Sequence, residues 1–270
     1  MSARSATAAE VAATLGVAEG AVPALERLIL TLADSKRLMG IRYSDWLLGS
    51  PSIETGIACS SMAQDEWGHA RLLYAMLKEL GHDPVAVEHD RADAEYANVD
   101  ALDSQPESWA GLVALSALVD AAITLRLADF GEGTFELARG RVPKMLAEED
   151  LHRDFGQAWF RRLARGTEEA RAELRRESLR VLPRTLAWLA SDDALTRELA
   201  ASGLTGGHET RMTRYAEAIG PLLEGLHIDL ASVTPDASGW DAGRGRGPGG
   251  PQDDSLERAR GDRNRDLFVE

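Results

Sequence analysis

Apolar residues recur every three to four positions through most of the chain, and this spacing predicts helices. No run of alternating β-branched residues between turn signals predicts a strand. Four long helices are expected, over residues 23–48, 53–80, 109–130 and 143–164, and shorter helices follow them. The polar segment 85–107, between the second and third helices, is long enough to cross a helix bundle. The sequence therefore predicts an all-α fold around four long helices.

Composition divides the chain into three parts. With 270 residues and 44% hydrophobic content, the chain can bury a substantial core. We assign that core to one helical domain over residues 23–234, which follows an N-terminal extension, 1–22. From residue 235 the sequence PDASGWDAGRGRGPGGPQDD is rich in Gly, Pro and Arg and poor in apolar residues. This composition predicts a disordered tail over residues 235–270.

Charge and cysteine content restrict the partners and the compartment. A net charge of -14 argues against a nucleic-acid partner, because neutralising phosphates requires clustered Lys and Arg. The single cysteine, Cys59, excludes an internal disulfide, and the N-terminus has no long apolar run typical of a signal peptide. No apolar segment approaches the about 20 residues needed to span a bilayer. We therefore expect a cytoplasmic protein without a membrane partner.

The second predicted helix contains two ionisable residues on its apolar face. In SSMAQDEWGHARLLYAML, Glu66 and His69 are three positions apart and share a face with Met62 and Leu73. Burying a carboxylate without compensation costs several kcal/mol, so a partner is required. For one such ExxH motif alone, a Glu–His hydrogen bond or a partner Arg is the commoner explanation.

Two further helices repeat this feature. Glu149 and His152 have the same spacing in MLAEEDLHRDFGQAWF, and Asp120 lies within the apolar stretch LVALSALVDAAITLRL. The i, i+3 spacing places both ligands of a motif on one side of a helix, so that both can reach one metal. Carboxylates and imidazoles from facing helices suit Fe or Mn, with Zn as a competitor. The pattern therefore predicts a metal site inside the bundle.

The order ExxH, Asp, ExxH, in the strings QDEWGHARLLY, LVDAAI and EEDLHRDFGQ, resembles the phenylacetic acid catabolic protein family over about residues 25–230. The resemblance implies a ferritin-like bundle with a di-iron centre that activates dioxygen. The implied activity is the oxygenation of an aromatic acyl-CoA such as phenylacetyl-CoA, by epoxidation or hydroxylation. The implied metal ligands are Glu66, His69, Asp120, Glu149 and His152.

The resemblance also implies partners. Electrons would come from a separate reductase, because the chain has neither a nucleotide-binding fingerprint nor the cysteines of an iron–sulfur cluster. A homologous non-catalytic subunit is the second expected partner, and the protein is expected to be an oligomer. Since the family includes such a subunit, a structural role for this chain is the alternative to an oxygenase.

Lys36 departs from the family pattern. The resemblance implies a further glutamate on the first helix, and counting back from Trp46 places that position at Lys36, on the inward stripe. Three carboxylates and one ammonium leave two negative charges, which balance one divalent ion. Three outcomes remain open: one metal beside Lys36, a metal-free core, or two metals with a modified Lys36 such as a carbamate. Glu66, Glu149 and Lys36 are therefore the residues expected to govern the chemistry.

Overall fold

The structure, a computed structural model, describes residues 8–262, and in this range every regular element is helical. The helices follow one another as α1 (Ala8–Leu15), α2 (Val22–Asp45), α3 (Ile53–Tyr74), α4 (Pro84–His89), α5 (Trp109–Ala114), α6 (Ala121–Glu132), α7 (Glu136–Ala164), α8 (Glu168–Leu189), α9 (Ala194–Ala201), α10 (His208–Glu224) and α11 (Asp253–Arg260). A π-helical turn, Leu115–Asp120, joins α5 to α6 without a break. The all-α, ferritin-like prediction is confirmed.

Two antiparallel helix pairs form the bundle. α2 packs along α3, and α6 packs along α7. Side-chain caps fix where several helices begin: Ser52 accepts from the N–H of Thr55 at α3, and Ser108 accepts from that of Gly111 at α5. The bundle therefore brings the inward faces of α2, α3, α6 and α7 together.

The fourth long helix begins earlier than predicted. α7 starts at Glu136, so Pro143 lies inside the helix rather than in its first turn. Ala138 and Val142 are fully buried, and their packing stabilises the turns that precede the proline. Tertiary packing thus outweighs the hydrogen bond that a proline removes from a helix.

The disordered tail is a wrong prediction for residues 235–262. Arg246 is fully buried, donates to Asn98 Oδ1 at 2.7 Å and pairs with Asp100 and Asp103. Helix α11 packs against α2 and α4. Composition could not predict this packing, because two polar segments distant in the sequence neutralise each other only when the fold brings them together.

Part of the predicted N-terminal extension also belongs to the core. In the described part, Val11, Ala12 and Ala21 are buried, and α1 contacts α2. Residues 1–7 and 263–270, which include the ends of the predicted extension and tail, lie outside the described residues.

One helix is more apolar than the sequence analysis recognised. The continuous helix Trp109–Glu132 is long and apolar enough to cross a bilayer by length and composition alone. However, 83% of its apolar window is buried inside the protein. The central position of this helix in the bundle accounts for its composition, because a helix that is apolar all round is buried.

Candidate metal centre

Lys36 lies at the centre of the bundle, bonded to three carboxylates. Its Nζ donates to Glu66 Oε1 at 3.1 Å, Asp120 Oδ1 at 2.8 Å and Glu149 Oε1 at 2.7 Å. These four side chains come from α2, α3, the π-helical turn and α7, and all are buried. Lys36 thus faces inward as the sequence predicts, and it binds one oxygen of each carboxylate.

The second oxygens of the carboxylates differ in their partners. Asp120 Oδ2 accepts from the Tyr43 hydroxyl at 3.0 Å, and Glu149 Oε2 accepts from the Thr124 hydroxyl at 2.7 Å. Glu66 Oε2 is buried and has no hydrogen-bond partner among residues 8–262. Lys36 alone therefore does not satisfy this cluster.

Both histidines of the ExxH motifs direct Nδ1 toward the carboxylates. His69 Nδ1 lies 2.9 Å from Glu149 Oε1, and His152 Nδ1 lies 3.4 Å from Glu66 Oε1 and 3.6 Å from Glu149 Oε2. Despite these distances, neither Nδ1 atom is in hydrogen-bond geometry, and both are buried. Buried imidazole nitrogens and a buried carboxylate oxygen without hydrogen-bond partners are suitable ligand atoms for a metal ion.

Two acidic residues that the sequence analysis missed hold these imidazoles from outside. His69 Nε2 lies 2.8 Å from Glu148 Oε2, and His152 Nε2 lies 3.4 Å from Asp65 Oδ2. Glu148 directly precedes Glu149 but contacts His69 of the first motif. Asp65 directly precedes Glu66 but contacts His152 of the second motif. When Nε2 carries the proton and donates it to a carboxylate, Nδ1 keeps its lone pair for a metal. The signal in the sequence is the acidic residue immediately before each ExxH motif.

Four of the predicted ligands lie close to one another, and the fifth, His69, lies beside them. One donor atom from each of Glu66, Asp120, Glu149 and His152 lies within 4.8 Å of the other three. His69 approaches Glu149 Oε1, the oxygen that Lys36 also binds. The structure thus brings four of the five predicted ligands into one group that could hold a metal ion, with Lys36 and His69 beside it.

The π-helical turn sets the position of Asp120. A π-helical turn inserted in an α-helix shifts the residues that follow it, and such turns are frequent at functional sites. α7 approaches this turn at Gly156, where an added Cβ would lie 2.6 Å from Ser116 Oγ. The Tyr43 hydroxyl donates to Asp120 Oδ2 at 3.0 Å, and its oxygen lies 2.9 Å from Ser116 Oγ. The helical periodicity of the sequence gave no indication of this turn.

Burial and neighbouring charges shift the pKa values of the cluster. Burial opposes the charged form of Lys36, but the three carboxylates outweigh it and raise its pKa above the ordinary value. Burial together with Asp120 and Glu149 raises the pKa of Glu66 to about 7. Burial disfavours protonated His152, yet the nearby carboxylates, Glu66 first, raise its pKa to about 9. Protons and Lys36 therefore balance the carboxylates when no metal is bound.

A cavity reaches the cluster from one side. It has a volume of about 310 Å³, and its walls come mainly from the π-helical turn, α6, α7 and α10. Asp120, Thr124 and Glu149 line its inner end, and Leu125 and Ile219 contribute apolar wall. The site thus combines a buried ionic cluster with space for a small, mainly apolar molecule.

A helical bundle with a buried carboxylate and histidine cluster on facing helices is the architecture of the ferritin-like proteins that bind metals between helices. The chain matches the family described as Phenylacetic acid catabolic protein over residues 7–246. Because this match covers most of the chain, the protein belongs to that family. The resemblance read from the motifs is confirmed, and it connects the chain to phenylacetate catabolism. No curated protein matches the chain.

Proposed function

We propose that this protein is an iron-binding subunit of a dioxygen-dependent oxygenase that acts on an aromatic acyl-CoA such as phenylacetyl-CoA. The observation that carries the proposal is the convergence of Glu66, Asp120, Glu149 and His152 at the end of a cavity, in a chain of this family. Iron supplies the binding and reduction of dioxygen, which side chains by themselves do not.

The residues around the cluster have separate tasks in this proposal. Glu66, Asp120, Glu149 and His152 hold the ion, while Asp65 keeps the His152 ring oriented. Excess carboxylate charge favours a divalent cation over water. Iron and manganese are both compatible with three oxygens and one nitrogen, and the proposed oxygen chemistry selects iron.

Lys36 sets the number of metal ions. Its ammonium binds one oxygen of each carboxylate, and in the described part of the chain Glu66 Oε2 and His152 Nδ1 have no hydrogen-bond partner. With three carboxylates against one ammonium, the charge balances one divalent ion. We therefore propose one metal ion per chain, in place of the two that the resemblance implies.

The size and lining of the cavity support the proposed substrate class. A volume of about 310 Å³ accommodates a small aromatic acyl group but not a whole acyl-CoA, whose remaining part would extend into solvent. Apolar walls formed by residues such as Leu125 and Ala128 exclude water next to the ring. The Thr124 hydroxyl, which donates to Glu149 Oε2 at 2.7 Å, also lines this cavity.

We assign the transfer of electrons to a partner protein, because this chain has no group of cysteines for it. The single cysteine, Cys59, is buried, so no cysteine cluster for electron transfer can form, and we assign electron delivery to a separate reductase. A homologous subunit is the second proposed partner. The turn between α2 and α3 exposes Leu47 and Leu48, and the beginning of α3 exposes Ile53 and Ile57. These exposed apolar residues fit a protein that works within an assembly. We place this assembly in the cytoplasm.

A second candidate function rests on Lys36. Because its Nζ already bonds to all three carboxylates, the cluster can be stable without a metal, as in a structural subunit that supports a catalytic one. Such a subunit would bind its partner and have no oxygenase activity of its own.

Metal content and dioxygen consumption together separate the two candidates. Protein produced with iron should contain about one iron per chain, and with a reductase and phenylacetyl-CoA it should consume dioxygen in step with product formation. His152→Ala should lose both properties, whereas His82→Ala, at a half-buried histidine that pairs with Glu26 outside the cluster, should keep both. Protein without iron, and without activity beside its partners, would refute the oxygenase and favour the structural role.

A further inference from the structure

A second group of charged side chains is buried away from the metal centre. We call it the arginine cluster: Arg27, Arg126, Arg211, Asp129 and Asp193. The three arginines come from α2, α6 and α10 and are 6%, 5% and 2% exposed. This cluster has no part in the proposed oxygenase chemistry.

Both carboxylates of the cluster already bind arginines. Asp193 accepts from Arg27 Nη1 and Nη2 at 2.7 and 2.8 Å. Asp129 lies 3.2 Å from Arg126 Nη1 and 3.5 Å from Arg211 Nη1, and it accepts from the Gly206 N–H at 2.7 Å. Three guanidinium groups and two carboxylates leave one positive charge in excess.

Arg126 is the arginine of the cluster whose charge is least compensated. Within residues 8–262 its guanidinium makes one hydrogen bond, from Nη1 to Asp129, so Nε and Nη2 have no protein acceptor. Burial lowers its pKa to about 9, with repulsion from Arg211 and Arg27 adding to the effect. A buried guanidinium with two unused donors is costly unless another group compensates it.

A small cavity lies between Arg126 and Arg27. Its volume is about 20 Å³, enough for one water molecule or one small ion. Three hydroxyl side chains also line it: Thr31, Ser191 and Thr196. The Thr31 and Thr196 hydroxyls already donate to the Arg27 and Asp193 carbonyls, so the donors that can face the cavity are the guanidinium groups and Ser191. Such donors around a space of this size suit an anion without bulky substituents, and the space is too small for phosphate or an organic acid.

We propose that this cavity binds one monovalent inorganic anion of the size of chloride. Such an anion neutralises the excess charge and offsets the repulsion between Arg126 and Arg27, which a neutral water molecule cannot do. The walls come from α2, α6, α8, α9 and the C-terminal segment at Gly245. The bound anion therefore connects the C-terminal segment to the bundle and stabilises the folded chain.

Thermal unfolding of the full chain tests this proposal. We expect the midpoint in sodium chloride to exceed that in sodium gluconate, at equal pH and ionic strength, by about 2–4 °C. Arg126→Met should abolish the difference, and the exposed Arg214→Met, which loses only a pair with Glu132, should retain it. Equal midpoints for the wild type in both salts, or an undiminished difference in Arg126→Met, would overturn the proposal.

Crystallography of the wild type needs no variant and identifies the occupant directly. Crystals grown with bromide should give an anomalous peak within contact distance of Arg126 and Arg27. Density for a water molecule alone, without an anomalous peak, would mean that the cavity does not bind an anion.

Discussion

The bundle buries two charged clusters whose excess charges have opposite sign. In the metal centre, three carboxylates surround one ammonium, that of Lys36. In the arginine cluster, three guanidinium groups contact two carboxylates, and Arg126 has unused donors. Isolated charges are costly inside a protein, and for this reason we propose a divalent cation for the first cluster and a monovalent anion for the second.

The two clusters also differ in how they are encoded. Four of the five predicted ligands of the candidate metal centre come in pairs with a fixed spacing, Glu66 with His69 and Glu149 with His152, so each pair is visible on its own helix. The members of the arginine cluster share no such spacing apart from Arg126 and Asp129, which form an ordinary i, i+3 pair. A local motif therefore reveals the first site, whereas only the folded chain reveals the second.

The comparison is tested most strongly by removing a cation from each cluster. Lys36→Met should destabilise the metal-free protein by about 3–5 kcal/mol, because three buried carboxylates lose their shared partner. Arg126→Met should stay within about 1 kcal/mol of the wild type in gluconate, because Asp129 keeps Arg211 and the Gly206 N–H. Urea unfolding of EDTA-treated proteins measures both values.

The exposed Lys78→Met is the control for the loss of a lysine as such. Equal losses in Lys36→Met and Arg126→Met would contradict the idea that the sign of the excess charge decides the outcome.

Adding a carboxylate to the negative cluster should change its metal content. Lys36→Glu removes the opposing charge and supplies a fourth carboxylate, so we expect the metal content to rise from about one ion per chain toward two. Elemental analysis after reconstitution with iron measures this.

A carbamate at Lys36 predicts the reverse: two ions in the wild type that depend on dissolved carbon dioxide, with one lost in Lys36→Met. Two ions in the wild type without that dependence would contradict both explanations.

The two histidines should not be equivalent. His152→Ala should weaken metal binding at least about tenfold, because His152 belongs to the group of four converging ligands. His69→Ala should weaken it less, since His69 approaches only the Glu149 oxygen that Lys36 also binds. Titration with a metal-competing chelator compares the affinities, with His82→Ala as the control. A larger loss in His69→Ala would place the ion on the Lys36 side of the cluster.

The smallest expected effect concerns the acidic side of the arginine cluster. Burial raises the pKa of Asp193, but hydrogen bonds from Arg27 and the Thr196 N–H lower it to about 2, below its ordinary 3.8. A depressed carboxylate pKa adds stability that is complete above pH 4 and is lost as the pH falls toward 2. Allowing for solvent screening, Asp193→Asn should cost about 1 kcal/mol at pH 7 and progressively less below pH 4.

Urea unfolding of Asp193→Asn and wild type between pH 7 and pH 3 measures this difference, and the exposed Asp154→Asn serves as control. A constant difference across the range would show that the charge of Asp193 contributes nothing, and that only its cap on α9 matters.

Much of the fold follows from the sequence because its signals are local. Apolar periodicity predicts the long helices, and the strings around Glu66 and Glu149 predict the family. The start of α7 and the π-helical turn could not be predicted, because both depend on packing between helices. For the same reason, Asp65 and Glu148 were missed: each acts on a histidine of a different helix.

The sequence by itself determined the helical class, the family, and the inward placement of Lys36 among ligand-type residues, since all of these depend on spacing along single helices. Only the tertiary structure decided which ligands converge, that Lys36 binds all three carboxylates, and that residues 235–262 pack. The physical reason is the same in each case. Buried charges are stable only with partners, and these partners come from segments far apart in the chain, such as Arg246 with Asp103.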